Sequence, residues 1–482
     1  MRLDYLDRRA FLGSLAALAS RPGFANAGAG PRFGAHTSQG KAMLVVYRDA
    51  VAAMMDKSRF PEGDPRSWMF QWYIHAVRGD RSKASEIKRA YPAAGPAEQL
   101  ARATWDTCEA HHVSSRGQDY FLPWHRMYLR CFEEIVRDVT KRADFTLPYW
   151  DYTDAAHRGL PEEFRRKDDP AWKSLYRPDR NGFANVGSPI DQSGMSIDLE
   201  AMTARYYSDT SSEAGFANNI DGLLHGAVHV SVGNAQGMGR VPWAANDPIF
   251  WLHHCNIDRI WASWVKLGGG DPPASTLNEA FNFVDGQGKA TQLKVSDVVS
   301  VSTVNYDTYI DKRPPGSPPF PGGGPVLTAG GLRFATREAL PLQAKAKVAD
   351  LRRETGTGPL FTSGAGLKAV EPETPLYVIL DGISGDAASE DSKYEVHAVF
   401  GNQLPKLGSP ESFVGTLCLF GVGGHGQHAG HAPALRRKVS FLVTGAARAV
   451  LQAQDSNPRV VLIPSGGVAG RAQVARVSLV TG

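Results

Sequence analysis

Thirteen residues, Arg313-Pro-Pro-Gly-Ser-Pro-Pro-Phe-Pro-Gly-Gly-Gly-Pro325, divide this chain into two parts that must fold by different rules. Six prolines and four glycines in one run cannot form a helix or an interior strand, so the run is a linker. Before it, from about Lys41 to Lys266, apolar residues recur at helical spacing: Ala42–Met55 reads as an amphipathic helix, and Phe132–Val139 continues a helix begun near His125. The stretch Pro161–Pro189 is charged, then rich in Gly, Asn and Pro, and reads as a long loop. After the linker, apolar runs of strand length alternate with turns at Leu376–Leu380, Tyr394–Phe400, Ser412–Phe420, Val439–Val443, Val460–Ile463 and Ala475–Val480. The fold class that follows is a mainly α domain, a helical bundle, joined to a C-terminal all-β sandwich.

Composition removes several classes. With 53 Lys+Arg against 49 Asp+Glu over 482 residues, the net charge of +4 is too small and too dispersed for a nucleic-acid partner. Hydrophobic residues at 42% exclude a disordered chain, and four cysteines exclude a disulfide scaffold. At the N-terminus, Arg8-Arg9-Ala10-Phe11-Leu12 precedes the small apolar run Gly13–Ala19, and Ala25-Asn26-Ala27 suits a signal peptidase. Residues 1–27 are therefore expected to be a signal peptide of the twin-arginine type, sending a folded protein to the periplasm or outside. The apolar run is too short to span a bilayer, and no membrane partner is expected.

The histidines carry the chemistry. One group comprises His75, His111, His112 and His125; the other comprises His225, His229, His253 and His254. An i,i+4 spacing puts His225 and His229 on one helix face, where both rings can meet one metal ion. Asp247 and Pro248 read as the N-cap and first residue of a helix, on which His254 and Asp258 share a face. A carboxylate there can accept a hydrogen bond from the non-ligating nitrogen of an imidazole. Glu133 lies two turns beyond His125 on the same face. Two sets of imidazoles without a Cys2His2 or His-Glu-x-x-His pattern favour a borderline transition metal, and copper suits them.

The segments Phe121-Leu-Pro-Trp-His-Arg-Met-Tyr-Leu-Arg-Cys-Phe-Glu133 and Asp247-Pro-Ile-Phe-Trp-Leu-His-His-Cys-Asn-Ile-Asp-Arg259 resemble the two copper signatures of the tyrosinase and polyphenol oxidase family. The resemblance covers about Lys41–Lys266. It continues more weakly through Lys294–Val299, Asn305-Tyr306, Leu376–Ile383 and Tyr394–Phe400, which are similar to plant-type enzymes. Together with the signal at 1–27 and the linker read from the residues, it implies a dicopper catalytic domain at 28–290, a trailing segment and linker at 291–331 and a C-terminal β domain at 332–482. It also implies copper A on His75, His111 and His125, and copper B on His225, His229 and His254. His254 is chosen over His253 because the family's ligand precedes the aspartate by four residues. His111 is chosen over His112 because Cys108-Glu-Ala-His111 resembles a Cys-x-x-His form in bacterial members. Cys108 could carry the thioether that some members have, or be a plain buried thiol.

The activity so implied is oxidation of ortho-diphenols by O2 to ortho-quinones; a haemocyanin-like oxygen carrier is the alternative. In the family, a carboxylate before the first copper B histidine and an asparagine after it hold a water that deprotonates monophenols. Asp221 fills the first position and Gly226 the second, and glycine offers no side-chain donor or acceptor. Hydroxylation of monophenols is therefore expected to be weak. Val241, in a region that overhangs copper A in related enzymes, is expected either to leave the substrate pocket open or to be a core residue. The C-terminal domain is expected to cover the site. The glycine loop with His425, His428 and His431 could hold copper.

Overall fold

The computed structural model describes residues 30–108, 117–321, 333–354, 367, 370–372, 374–402, 404–423, 437–453 and 457–481. The expected signal at 1–27, His111, His112 and the tail histidines His425, His428 and His431 lie outside these residues. Among the described residues, no helix is long and apolar enough to cross a membrane.

The N-terminal part is helical around one core, and local chemistry sets its helix ends. Thr37 caps the Ser38–Met55 helix by accepting from the Gly40 amide, and Ser67 caps Trp68–His75 by accepting from Phe70. The helix Gly117–Thr140 contains Pro123, which cannot donate to the carbonyl one turn back. That carbonyl, on Asp119, accepts instead from the Tyr207 hydroxyl at 3.0 Å. The helix expected from Asp247 begins at Ile249 and runs to Lys266; the Asp247 carboxylate accepts from the Ile249 amide and is itself gripped by both ends of the Arg180 fork. The stretch expected as a loop, Pro161–Pro189, is a series of short turns, among them Glu162–Phe164, Lys173–Leu175 and Gly182–Asn185.

A buried ion network locks the two long helices together. Asp258 accepts from Arg126 at 2.5 Å, from Arg32 at 2.9 Å and from the Tyr306 hydroxyl at 2.6 Å. Glu133 accepts twice from Arg32, at 2.9 and 3.0 Å, and from the Leu147 amide. Neither carboxylate receives an imidazole N–H, contrary to the expectation for Asp258. The competition favours guanidinium, whose charged fork matches a carboxylate better than a neutral ring does.

The linker differs from a free tether. Arg313 donates to the carbonyls of Met202, Thr203 and Ala204 and lies over the Phe320 ring, which packs edge-on against Trp264. Its first half is thus pinned to the helical core.

Beyond the linker two antiparallel sheets face one another. One pairs Arg437–Leu442, Leu376–Gly385, Ala472–Thr481, Arg333–Ala335 and Arg352–Arg353 in that order, with Leu340–Leu342 also on Ala472–Thr481; the other orders Lys347–Asp350, Arg459–Gly466, Lys393–Val399 and Phe413–Cys418. Val378, Leu380 and Leu479 from the first share a core with Val396, Leu417 and Leu462 from the second. All six expected strands are present. The two parts also exchange residues: Leu223 joins the β core, while Cys418 and Phe420 join the helical one.

Two glycines permit that exchange. A Cβ on Gly226 would lie 2.6 Å from the Cys418 sulfur and 3.3 Å from Phe420 Cβ; one on Gly222 would lie 2.6 Å from a Val439 methyl and 2.9 Å from Arg437 Cδ. An exposed helical glycine gains roughly 1 kcal/mol on replacement by alanine. Here overpacking should dominate, so Gly226→Ala is expected to destabilise the full chain by about 1–3 kcal/mol in urea unfolding. A stabilised variant would show that the tail does not press on this helix.

The same junction carries a pH dependence. Glu200 accepts from the Leu442 amide of the tail, and burial, with Asp198 nearby, pushes its carboxyl up to about 8. Burial likewise raises Glu390 to about 7, partly opposed by Arg240. A carboxyl raised by folding binds its proton more tightly in the native chain. Its contribution is therefore complete below the unfolded pKa, near 4.3, and is lost as pH rises through the folded value. The melting temperature should fall between about pH 5 and about 8, and Glu200→Gln should flatten that fall. A native slope that Glu200→Gln leaves unchanged would contradict this.

Candidate metal centre

Four helical segments bring the histidines together. His75 ends the Trp68–His75 helix, and His125 sits in the middle of Gly117–Thr140. Asp221–His225 forms one widened π turn between Phe216–Ile220 and Gly226–Val232, the last of which carries His229. His253 and His254 lie on Ile249–Lys266, a helix buried on every side through Trp264. That burial explains why two consecutive histidines both face inward, where an amphipathic helix would send one outward.

The described rings fall into two groups with ligand atoms within 4.8 Å of one another: His225, His229, His253 and His254, and His75, Cys108 and His125. The groups adjoin, because His125 and His254 stack with centroids 4.1 Å apart and planes 10° apart. His253 is closer to the centre than a packing role requires; its Nδ1 meets the Tyr152 hydroxyl at 2.9 Å. Cys108 Sγ lies 3.8 Å from His125 Nε2.

Hydrogen bonding orients three more of the rings besides His253. His125 Nδ1–H donates to the Phe121 carbonyl at 2.8 Å, His229 Nδ1–H to the Met238 carbonyl at 2.8 Å, and His225 Nδ1–H to Asp221 Oδ1 at 3.0 Å. Each leaves the Nε2 lone pair as the ligand atom. Burial, and then the neighbouring imidazoles, drive His229, His253 and His254 well below the usual histidine range, and burial with His225 pushes His125 down to about 3. Neutral rings are what a metal needs.

The fit to metal also shows in what is left unpaired. His229 Nε2, His253 Nε2 and both ring nitrogens of His254 are buried without a hydrogen-bond partner. Such an atom costs about 1–3 kcal/mol unless something takes its lone pair. Buried imidazole donors in two adjacent groups, with the Cys108 sulfur beside one of them, suit a pair of copper ions.

The remaining predicted residues are placed as follows. Asp221 is wholly buried: Oδ1 faces His225, and Oδ2 accepts from Arg437 of the tail at 2.9 Å. Burial alone would raise its carboxyl, but the Arg437 charge and the His225 hydrogen bond hold it below the ordinary range. Val241 is fully buried in the helical core at the start of Val241–Ala244, and the next residue's carbonyl accepts from Trp72 on the His75 helix. Sequence reasoning missed two tail residues. Phe420 lies flat on His229, with centroids 4.2 Å and planes 11° apart, and Arg437 is buried against Asp221. Nothing in the local sequence around either residue marks one that reaches across to another domain.

Comparison with known proteins agrees with this geometry. Residues 65–200 and 190–267 match the family described as the common central domain of tyrosinase. The tyrosinase HcTyr1 of Hahella sp. (strain CCB-MM4) is 28% identical over 415 residues, covering 79% of this chain and 83% of that protein. The tyrosinase of Streptomyces antibioticus is 32% identical over 211 residues, 36% of this chain and 75% of that enzyme. Among solved structures, a latent aurone synthase (polyphenol oxidase) shares the fold with a TM-score of 0.62 at 18% identity, over 96% of this chain and 91% of that one. Its helical core and β region repeat the two-part layout described above. With the copper-type histidine clusters and these relatives in hand, the chain belongs to the tyrosinase and polyphenol oxidase family, the copper oxidoreductases that act on phenols.

Proposed function

We propose that this protein is a dicopper oxidase that converts ortho-diphenols to ortho-quinones with O2 and hydroxylates monophenols weakly. His75, His111 and His125 hold copper A, and His225, His229 and His254 hold copper B, within a catalytic domain at 28–290 that the segment at 332–482 covers. The observation that carries this reading is the convergence of buried imidazoles in two adjoining groups, three of which, His125, His225 and His229, already spend Nδ1 on a hydrogen bond. Of the two adjacent rings, His254 is taken as the ligand because it stacks on His125, where the two groups adjoin.

The coppers, when bound, supply the electron transfer: two diphenols give four electrons and four protons to one O2, yielding two quinones and two waters. The chain's own residues fix the ring tautomers, exclude water and present an aromatic platform. A phenol ring fits flat against a copper B imidazole, and the tail already fills such a place: Phe420 stacks on His229. The tail therefore inhibits by occupying the substrate's position, and the likeness to a polyphenol oxidase described as latent supports this. Weak hydroxylation follows from Gly226, which gives no side-chain amide, and from Asp221, whose oxygens are engaged by His225 and Arg437. Export through a twin-arginine signal at 1–27 fits a protein that takes up its metal before leaving the cell.

The test is a substrate panel on copper-loaded protein, intact and after proteolysis in the linker. Catechol should turn over faster than tyrosine, and clipping with copper kept in excess should raise both rates. The Phe420 stack is worth about 1 kcal/mol, so Phe420→Ala in the intact chain should raise catechol turnover by at least about fivefold. Faster turnover of tyrosine would refute the substrate order. Reversible O2 binding without quinone would instead establish a carrier.

A further inference from the structure

The tail reaches the centre at a second point, through charge. Arg437 opens the strand Arg437–Leu442 and is fully buried; it donates to the Phe420 carbonyl at 2.7 Å and to Asp221 Oδ2 at 2.9 Å. Three features aim it there. The pairing with Leu376–Gly385 slips between Arg437 and Val439, a bulge that redirects the side chain. Gly222 lacks the Cβ that would meet Arg437 Cδ. The Asp221 carboxylate completes a buried ion pair, with both side chains wholly enclosed.

The asymmetry around the rings gives this pair its meaning. His125 and His229 donate to backbone carbonyls within the helical part. His225 donates to a carboxylate, and the charge facing that carboxylate comes from the tail. A carboxylate acceptor fixes the ring and strengthens its other nitrogen as a donor to metal. Removing one member of a buried ion pair leaves the other as an uncompensated buried charge, so without Arg437 the Asp221 carboxylate loses the charge that holds it in place.

We propose that Arg437 is a positioning residue for the metal centre: it holds Asp221 against His225 Nδ1, so that the tail which covers copper B also strengthens its grip on the ion. This rests on the dicopper reading. Opening the tail thereby does two things, uncovering the site and loosening one of its two coppers.

Full-length protein reconstituted with copper and challenged with a chelator tests this directly. The native chain serves as control; fewer than two coppers there would sink the dicopper reading itself, before the role of Arg437 is in question. Arg437→Gln should release one copper roughly ten- to a hundredfold more readily than the native chain while the other stays, matching the cost of losing such a support. The copper that remains should appear as an isolated Cu(II) in the electron paramagnetic resonance spectrum. Asp221→Asn reads the relay from its other end and should do the same, which keeps the test decisive if Arg437→Gln does not fold. Lys438→Met removes a different tail contact, the hydrogen bond to the Thr210 carbonyl, and should release both coppers at the native rate. Native release by Arg437→Gln or Asp221→Asn, or equal loss of both coppers, would overturn the proposal. So would selective loss in Lys438→Met.

Discussion

The arrangement depends on one buried ion network. Asp258 and Glu133, each on a long histidine-bearing helix, share the Arg32 guanidinium, and Arg126 on the Glu133 helix reaches across to Asp258. Enclosed from water, such charges have no alternative partners, and removing one would strand the others at a cost of about 3–5 kcal/mol. The network therefore fixes how Gly117–Thr140 lies against Ile249–Lys266. That crossing sets the His125–His254 stack, and with it the spacing of the two metal groups. Tyr306, far along the chain, closes the network by donating to Asp258, so the segment after the helices also belongs to the centre's support.

Much of this was legible in the sequence because the information is local. Proline and glycine runs, strand-length apolar stretches and the two histidine blocks each act over a few residues, so the helical part, the six main strands and the clustering of His75, His125, His225, His229 and His254 follow from them. What could not be read is non-local. Asp258 was expected to serve an imidazole, but Arg126 and Arg32 outcompete the ring, and neither is its neighbour in sequence. Gly226 looked ambiguous between a missing amide and close packing; the contact that matters is with Cys418 and Phe420, nearly two hundred residues away. The inward turn of both His253 and His254 likewise reflects a helix buried all round, which periodicity along one segment does not reveal.

The tail emerges as more than a lid. It lends Phe420 to the helical core, receives Leu223 into its own, and sets Arg437 against the carboxylate that faces His225. Covering a reactive centre with an aromatic ring and bracing it with a guanidinium are separate physical acts, one steric and one electrostatic. Because Phe420, in the turn after Phe413–Cys418, and Arg437, at the head of Arg437–Leu442, both belong to the tail, the proposed brace ties the state of the tail to the state of the metal.

The most direct test of this account is diffraction from copper-loaded crystals recorded at the copper absorption edge. The account predicts two anomalous peaks in each chain, one beside His75 and His125 and the other among His225, His229 and His254. A single peak, or copper bound away from these rings, would contradict it.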